Sequence, residues 1–177
     1  MRIKLLIFAF GLLAASGSAR ADIIPYPDAG TQSPTSYIFT ATQDGPLVAY
    51  FYGSNASFSE TLGLIVNGQD SGVTGFENHS TPFGALLNFG NVHAGDSLVF
   101  YIQVTTTGDT FYSDTSRNAD GENHVYSTPY SGGSGIPAGV YVAFEDILNS
   151  HSNSDHNYRD EQFVFTNTTM TLSLIHI

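Results

Sequence analysis

Residues 136–167 read IPAGVYVAFEDILNSHSNSDHNYRDEQFVFTN, and this stretch decides how the rest of the chain is understood. Residues 140–144 form a short run of β-branched and aromatic side chains, the composition of a buried strand. The run ends in the carboxylate pair Glu145 and Asp146. A polar loop rich in Asn, Ser and His follows. Asp155, Asn157 and Asp160 then arrive at the spacing D-x-N-x-x-D before the chain re-enters an apolar run at Phe163. Oxygen donors at both ends of one loop, each end held by a strand, are what a hard cation such as calcium takes.

Strand signals of the same kind recur upstream. Residues 37–42 (YIFTAT), 47–52 (LVAYFY), 60–66 (ETLGLIV), 83–89 (FGALLNF) and 97–105 (SLVFYIQVT) are each bounded by turn residues, and a short element is expected at 124–127. Asn67-Gly68 is a strong tight-turn signal. The run 132–135 (GGSG) is a flexible link into the opening stretch. No segment sustains a helical period. The pattern predicts an all-β, antiparallel sandwich or jelly-roll-like single domain. Eighteen Gly, thirteen Phe and ten Tyr in 177 residues suit short, twisted strands.

The N-terminus reads as a secretory signal over residues 1–21. Arg2 and Lys4 precede the apolar core LLIFAFGLLAA, which is too short to span a bilayer, and Ala19-Arg20-Ala21 is an A-x-A cleavage site. Residues 22–36, punctuated by Pro and Gly, are expected to be an arm rather than an element. The sandwich is expected over 37–171. Removing the signal takes away Arg2, Lys4 and Arg20 and no acid. The remainder therefore holds 2 basic against 16 acidic residues, a net charge of −14. A surface so acidic repels nucleic acid and anionic lipid and favours cations. There is no cysteine, so stability rests on packing, hydrogen bonds and any bound ion.

The last six residues, LSLIHI at 172–177, equal one translation frame of the transposon mosaic-end adapter CTGTCTCTTATACACATC. They are expected to be non-native, with the natural sequence continuing beyond Thr171. The alternative is an apolar terminal strand.

The loop offers Glu145, Asp146, Asp155, Asn157 and Asp160 as calcium ligands, with Asn and Ser carbonyls filling in. It is not an EF-hand, because no Gly stands at the sixth position and no Glu closes a twelve-residue loop. Solvated Asp and Asn capping backbone N–H groups is the plain alternative. VYVAFEDI followed by SDHNYRDEQFVFTN resembles the C-terminal signature of the secreted bacterial family named domain of unknown function 4114. That signature is an aromatic-Glu-Asp strand end, then a D-x-x-Y-x-D loop leading into a strand, here Phe144, Glu145, Asp146, Asp155, Tyr158 and Asp160. Arg159 stands where the family commonly has Asn. YIFTAT, LGLIVNG, AGDSLVF and GIPAGVYVAFED are also similar to exosortase-sorted (PEP-CTERM) proteins, whose C-terminal sorting tail this chain lacks. The resemblance implies an extracellular, calcium-binding β-sandwich at the cell surface or in the matrix. Its partners would be extracellular polysaccharide or matrix components.

Other constellations are weaker. Asp109, Asp114, Asp120 and Glu122 could form a second cation site, but a turn at 120–123 answered by Arg117 is the simpler reading. His151 and His156 are neighbours without the spacing of a zinc site. Tyr112, Tyr126, Tyr130 and Tyr158 would serve a carbohydrate-binding module if their rings lay exposed on one face. Glu145 with Asp160 would serve a hydrolase only as a pair flanking a cleft, and no nucleophile motif is present. The expectation is a binding or structural module, not an enzyme.

Overall fold

The computed structural model describes residues 24–148 and 154–173. The expected signal, His151 and the last four residues lie outside them. Strands β1 (Ser36–Ala41), β2 (Gly45–Ser54), β3 (Glu60–Val66), β4 (Gln69–Gly75), β5 (Leu86–Val92), β6 (Ser97–Val104), β7 (Thr110–Tyr112), β8 (Val125–Tyr130), β9 (Gly139–Phe144), β10 (Glu161–Thr166) and β11 (Thr168–Ser173) form two sheets. The first has the order β11-β1-β6-β3-β4, and the second β5-β2-β10-β9-β8. All pairings are antiparallel. In the first sheet β3 covers one edge of β6 over its length, so β1 and β7 share the other edge. Among the described residues no helix is long and apolar enough to cross a membrane.

Alternation along the strands builds the core. Phe39 on β1, Leu62 and Leu64 on β3, and Leu98, Phe100 and Ile102 on β6 meet Ala49 and Phe51 on β2, Val142 and Phe144 on β9, and Phe163 and Phe165 on β10. Phe100 of one sheet stacks on Phe165 of the other with ring centroids 3.8 Å apart. Side chains of opposite parity on the second sheet form a separate layer: Tyr52, Tyr141, Ala143 and Val164, closed over by Tyr26, Ile136 and Tyr158 from loops. The arm at 24–36 is therefore a cover. Its Tyr26 packs edge-on against Tyr158 at 4.9 Å, and the Tyr158 hydroxyl accepts from the Ser33 N–H at 2.8 Å.

The sandwich expectation holds, and most strands fall where their composition put them. The strand expected at 83–89 lies three residues later. Pro82 to Ala85 closes a turn instead, with the Ala85 N–H donating to Pro82, the Gly84 N–H donating to Phe51 and the Phe51 N–H donating to Ala85. Three strands were not expected: β4, β7 and β11. β4 is the return arm of the Asn67-Gly68 hairpin, whose residues have φ of +48° and +81° as a type I′ turn requires. β11 runs antiparallel to β1, pairing Leu172 with Tyr37 and Ser173 with Ser36, so the strand reaches into the hexapeptide at 172–177.

The chain passes from the second sheet to the first through a single residue, Asn167, at φ +58°. Its side-chain oxygen accepts from the Thr42 hydroxyl at 2.8 Å and the Gln43 N–H at 3.0 Å, while its amide donates to Gln43 O. One asparagine thus clamps two sheet crossings, β1–β2 and β10–β11.

Candidate functional site

The two strands of the opening stretch, β9 and β10, are neighbours, with Phe144 opposite Glu161. Strand alternation then divides the loop acids. Phe144 faces the interlayer, so Glu145 falls on the Tyr141–Ala143 side of the sheet and Asp146 returns to the inner side. Both are buried, at 2% and 4% exposure.

On the outer side, Glu145 is held by the returning loop. Ser154 Oγ donates to its Oε1 at 2.9 Å, and the Tyr158 N–H approaches its Oε2 at 3.5 Å. Burial raises the Glu145 pKa, Ser154 opposes that shift, and the charge of Asp155 adds to it. Asp155 is exposed; its carboxylate accepts from the Asn157 N–H at 3.1 Å and from the Asn157 side-chain amide. Here the loop shows the capping chemistry that Asp and Asn bring to turns. Tyr158, at φ +52° and 1% exposed, is an anchor of the loop.

On the inner side, the Asp146 N–H donates to Asp160 Oδ2 at 3.1 Å, and the Asp160 N–H donates to Phe144 O at 3.1 Å. Two acids join them that the sequence reading left out. Glu60 begins β3 with the parity of Leu62 and Leu64, and Glu161 begins β10 with the parity of Phe163 and Phe165. Each points into the space between the sheets at the same end of the sandwich. Both are 0% exposed, and none of their four carboxylate oxygens has a hydrogen-bond donor. Asp146 is within hydrogen-bonding reach of Glu60, but two carboxyl groups share such a bond only when one is protonated.

The electrostatics follow from this crowding. Burial, then contact with Asp146 and the charge of Glu161, pushes the Glu60 pKa up to about 11. Burial and the charges of Asp146 and Glu145 push Asp160 up to about 8. Glu161 is raised as well, by burial first and then by Glu77 and Asp146. The ion pairs Arg117–Asp114, His124–Asp120 and His93–Asp44 involve none of these groups. Arg159 Nε is buried without an acceptor.

The loop at 76–82 roofs this end. Phe76, at φ +62°, stacks on Phe163 at 5.9 Å, and Asn78 accepts from the Glu60 N–H at 3.0 Å while donating to Phe58 O at 2.8 Å. The structure therefore sets Asp146 beside Glu60 and Glu161, with Asp160 joined to Asp146 by the latter's backbone N–H. It leaves Glu145, Asp155 and Asn157 on the other side of the sheet, with Asp160 within electrostatic reach of both sets. Among the described residues no three His, Cys, Asp or Glu side chains stand as a ready coordination shell. The signal that would have found Glu60 and Glu161 was in the sequence. Each continues the inward alternation of a strand whose next two inward residues are apolar.

The second acidic segment is turn chemistry. Asp114 caps a 3-10 turn at Thr115–Arg117 and pairs with Arg117 at 3.2 Å, and Asp120 accepts from the Glu122 N–H. Asp120 also meets Nε2 of the buried His124 at 3.0 Å, while Nδ1 of that ring lies 3.2 Å from Glu145 O. The tyrosines do not make a platform. Tyr158 is buried, Tyr112 lies against Tyr101 on the first sheet, and Tyr126 and Tyr130 pack at 60° and 81° to their neighbours on the second. A surface groove of about 480 Å³ is lined by Tyr37, Phe39, Leu98, Ser113 and Thr115 among others, at the gap between β1 and β7. The loop acids are not part of it.

No family model, no curated protein and no solved structure matches the chain.

Proposed function

We propose that the chain is a secreted or cell-surface structural or binding module. Its β9–β10 loop is pinned by calcium, with ligands drawn from Glu145, Asp146, Asp155, Asn157 and Asp160. The observation that carries this reading is the position of Asp160. Its carboxylate feels Asp146, Glu145 and Asp155 together, so charge from both ends of the loop converges on one point with no basic side chain among the causes of its shift. Five oxygen-bearing side chains and nearby carbonyls match a hard cation of flexible coordination, and the absence of Cys argues against a softer metal. The signal-like N-terminus, the strongly acidic composition and the resemblance to the family with the aromatic-Glu-Asp signature support an extracellular setting. Extracellular polysaccharide or matrix components are the partners this setting offers.

Limited proteolysis tests the reading. With calcium present, cleavage between residues 145 and 160 should slow at least tenfold relative to the chelated protein. Equal cleavage rates with and without the ion would refute it.

A further inference from the structure

Glu60 and Glu161 lie far apart in sequence, on different sheets, yet both start their strands at a core-facing position of the same end. Each is fully buried, and both oxygens of each lack a donor. A buried carboxylate with neither counter-ion nor donor is among the costliest groups a core can hold. Two of them, with Asp146 and Asp160 beside them, would oppose closure of the sandwich unless something positive occupied the space between.

We propose that Glu60, Asp146, Asp160 and Glu161 form a divalent-cation site that staples the two sheets together, separate from the Glu145–Asp155–Asn157 side of the loop. The inference rests on the reading of the module as calcium-dependent, but it adds two ligands from outside the loop and moves the ion to the interlayer. Glu60 comes from the first sheet, Glu161 and the β9–β10 loop from the second. The ion would therefore bridge layers rather than only brace a loop.

The chemistry of the donors sets the ion. All four are hard carboxylate oxygens, and calcium takes six to eight such oxygens, commonly with three or four carboxylates among them. One dication offsets the two fully buried glutamates, while Asp146 and Asp160 complete the shell. Magnesium demands a tighter octahedron and holds its waters, which suits this dry, strand-built end poorly. The four side chains do not already stand as a shell. A dication attracts every carboxylate at this end and would draw them inward by side-chain rotation. The roof made by Phe76 and Asn78 then closes the site from water.

The competing neutraliser is the proton, and the experiment separates the two. Calcium is titrated into the chelated full chain by calorimetry, and terbium binding is read by luminescence sensitised by the ten tyrosines. Wild type is compared with Glu60→Gln/Glu161→Gln and with Asp44→Asn, an exposed acid at the opposite end of β2. The double variant should lose at least a hundredfold in affinity, and Asp44→Asn should stay within about threefold of wild type. If the double variant binds as wild type does, the ion sits in the loop alone; the staple is then wrong and the broader reading stands. If wild type binds neither ion up to millimolar concentration, both fall and protons neutralise the end. Should the double variant not fold, the single Glu161→Gln variant replaces it. Its melting temperature should respond to calcium by less than half the wild-type shift, and a full response would overturn the staple.

Discussion

Phe163 and Phe165 of β10 fill the middle of the interlayer, and one alternation earlier Glu161 occupies the same kind of position at its end. β3 repeats the arrangement, with Leu62 and Leu64 in the middle and Glu60 at the end. The middle is complete on its own. Phe100 on Phe165 and Phe39 edge-on to Phe100 bring apolar surfaces together, and nothing further is needed to hold them. The end is incomplete on its own, since Glu60 and Glu161 are buried with no donor to their oxygens. Identical backbone geometry thus yields one region stable in any buffer and another whose stability depends on what neutralises it.

The largest expected effect strikes the middle. Phe165→Ala should cost about 3–5 kcal/mol through lost burial and the cavity left behind. Urea denaturation should show the same loss with and without calcium. An equal loss in the two buffers keeps the regions distinct, whereas a loss confined to one buffer would merge them.

Next comes the pH dependence of the acid end in the chelated protein. Glu60, Asp160 and Glu161 have pKa values raised above those of free carboxyl groups, so the folded state binds more protons than the unfolded one. Their stabilising contribution is complete below the ordinary carboxyl range and is lost as pH rises. The loss runs from about 4.5 through about 8 for Asp160 and onward to about 11 for Glu60. Melting temperature without calcium should therefore fall between pH 5 and pH 8. Glu145, also raised by burial, adds to the fall, whereas Glu77, lowered by its Ser80 contact, acts below pH 5 and leaves this window unchanged. A chelated protein that is more stable at pH 8 than at pH 5 would contradict the electrostatics assigned to this end.

Removing one of the charges should act in the same direction. In chelator at pH 8, Glu60→Gln should raise stability by about 1–4 kcal/mol, because folding must protonate the glutamate there and need not protonate the amide. Chemical denaturation of the variant in chelator reads this directly, and a destabilised variant would mean that the charge is compensated. Asn167→Ala, at the sheet crossing, should cost about 2 kcal/mol in either buffer. It loses hydrogen bonds to both neighbouring crossings and places Ala at a φ that Asn tolerates better. The smallest effect belongs to Asp155. It is exposed and engaged only in its own turn with Asn157, so Asp155→Asn should shift stability by less than about 0.5 kcal/mol in chelator.

The sandwich was legible because its central strands are apolar and β-rich. The runs now seen as β1, β2, β3, β6, β9 and β10 carry the core, and their composition leaves no competing assignment. The edge strands were not legible for the opposite reason. β4 (QDSGVTG) and β11 (TTMTLS) bury little, so only their partners specify them. In the candidate site, Asp146 and Asp160 were readable from local spacing. Glu60 was readable as an inward acid at a strand start but not as a neighbour of Asp146, which lies eighty-six residues later and reaches it only through the sheet order. Glu145 was readable as an acid near the loop but not as one turned to the other face. Adjacent residues at a strand end diverge, and spacing along the chain conceals that. The arm looked unstructured because its Pro and Gly prevent a strand; Tyr26 and Ser33 nevertheless seal the tyrosine layer.

If a cation completes this fold, thermal melting of the full chain at pH 7.5 will register it. At a free calcium concentration one thousand times its Kd, mass action should stabilise the chain by about 4 kcal/mol relative to chelator, a shift of several degrees in Tm. The shift should vanish when chelator is added back. Superimposable melting curves in chelator and in millimolar calcium would contradict the account.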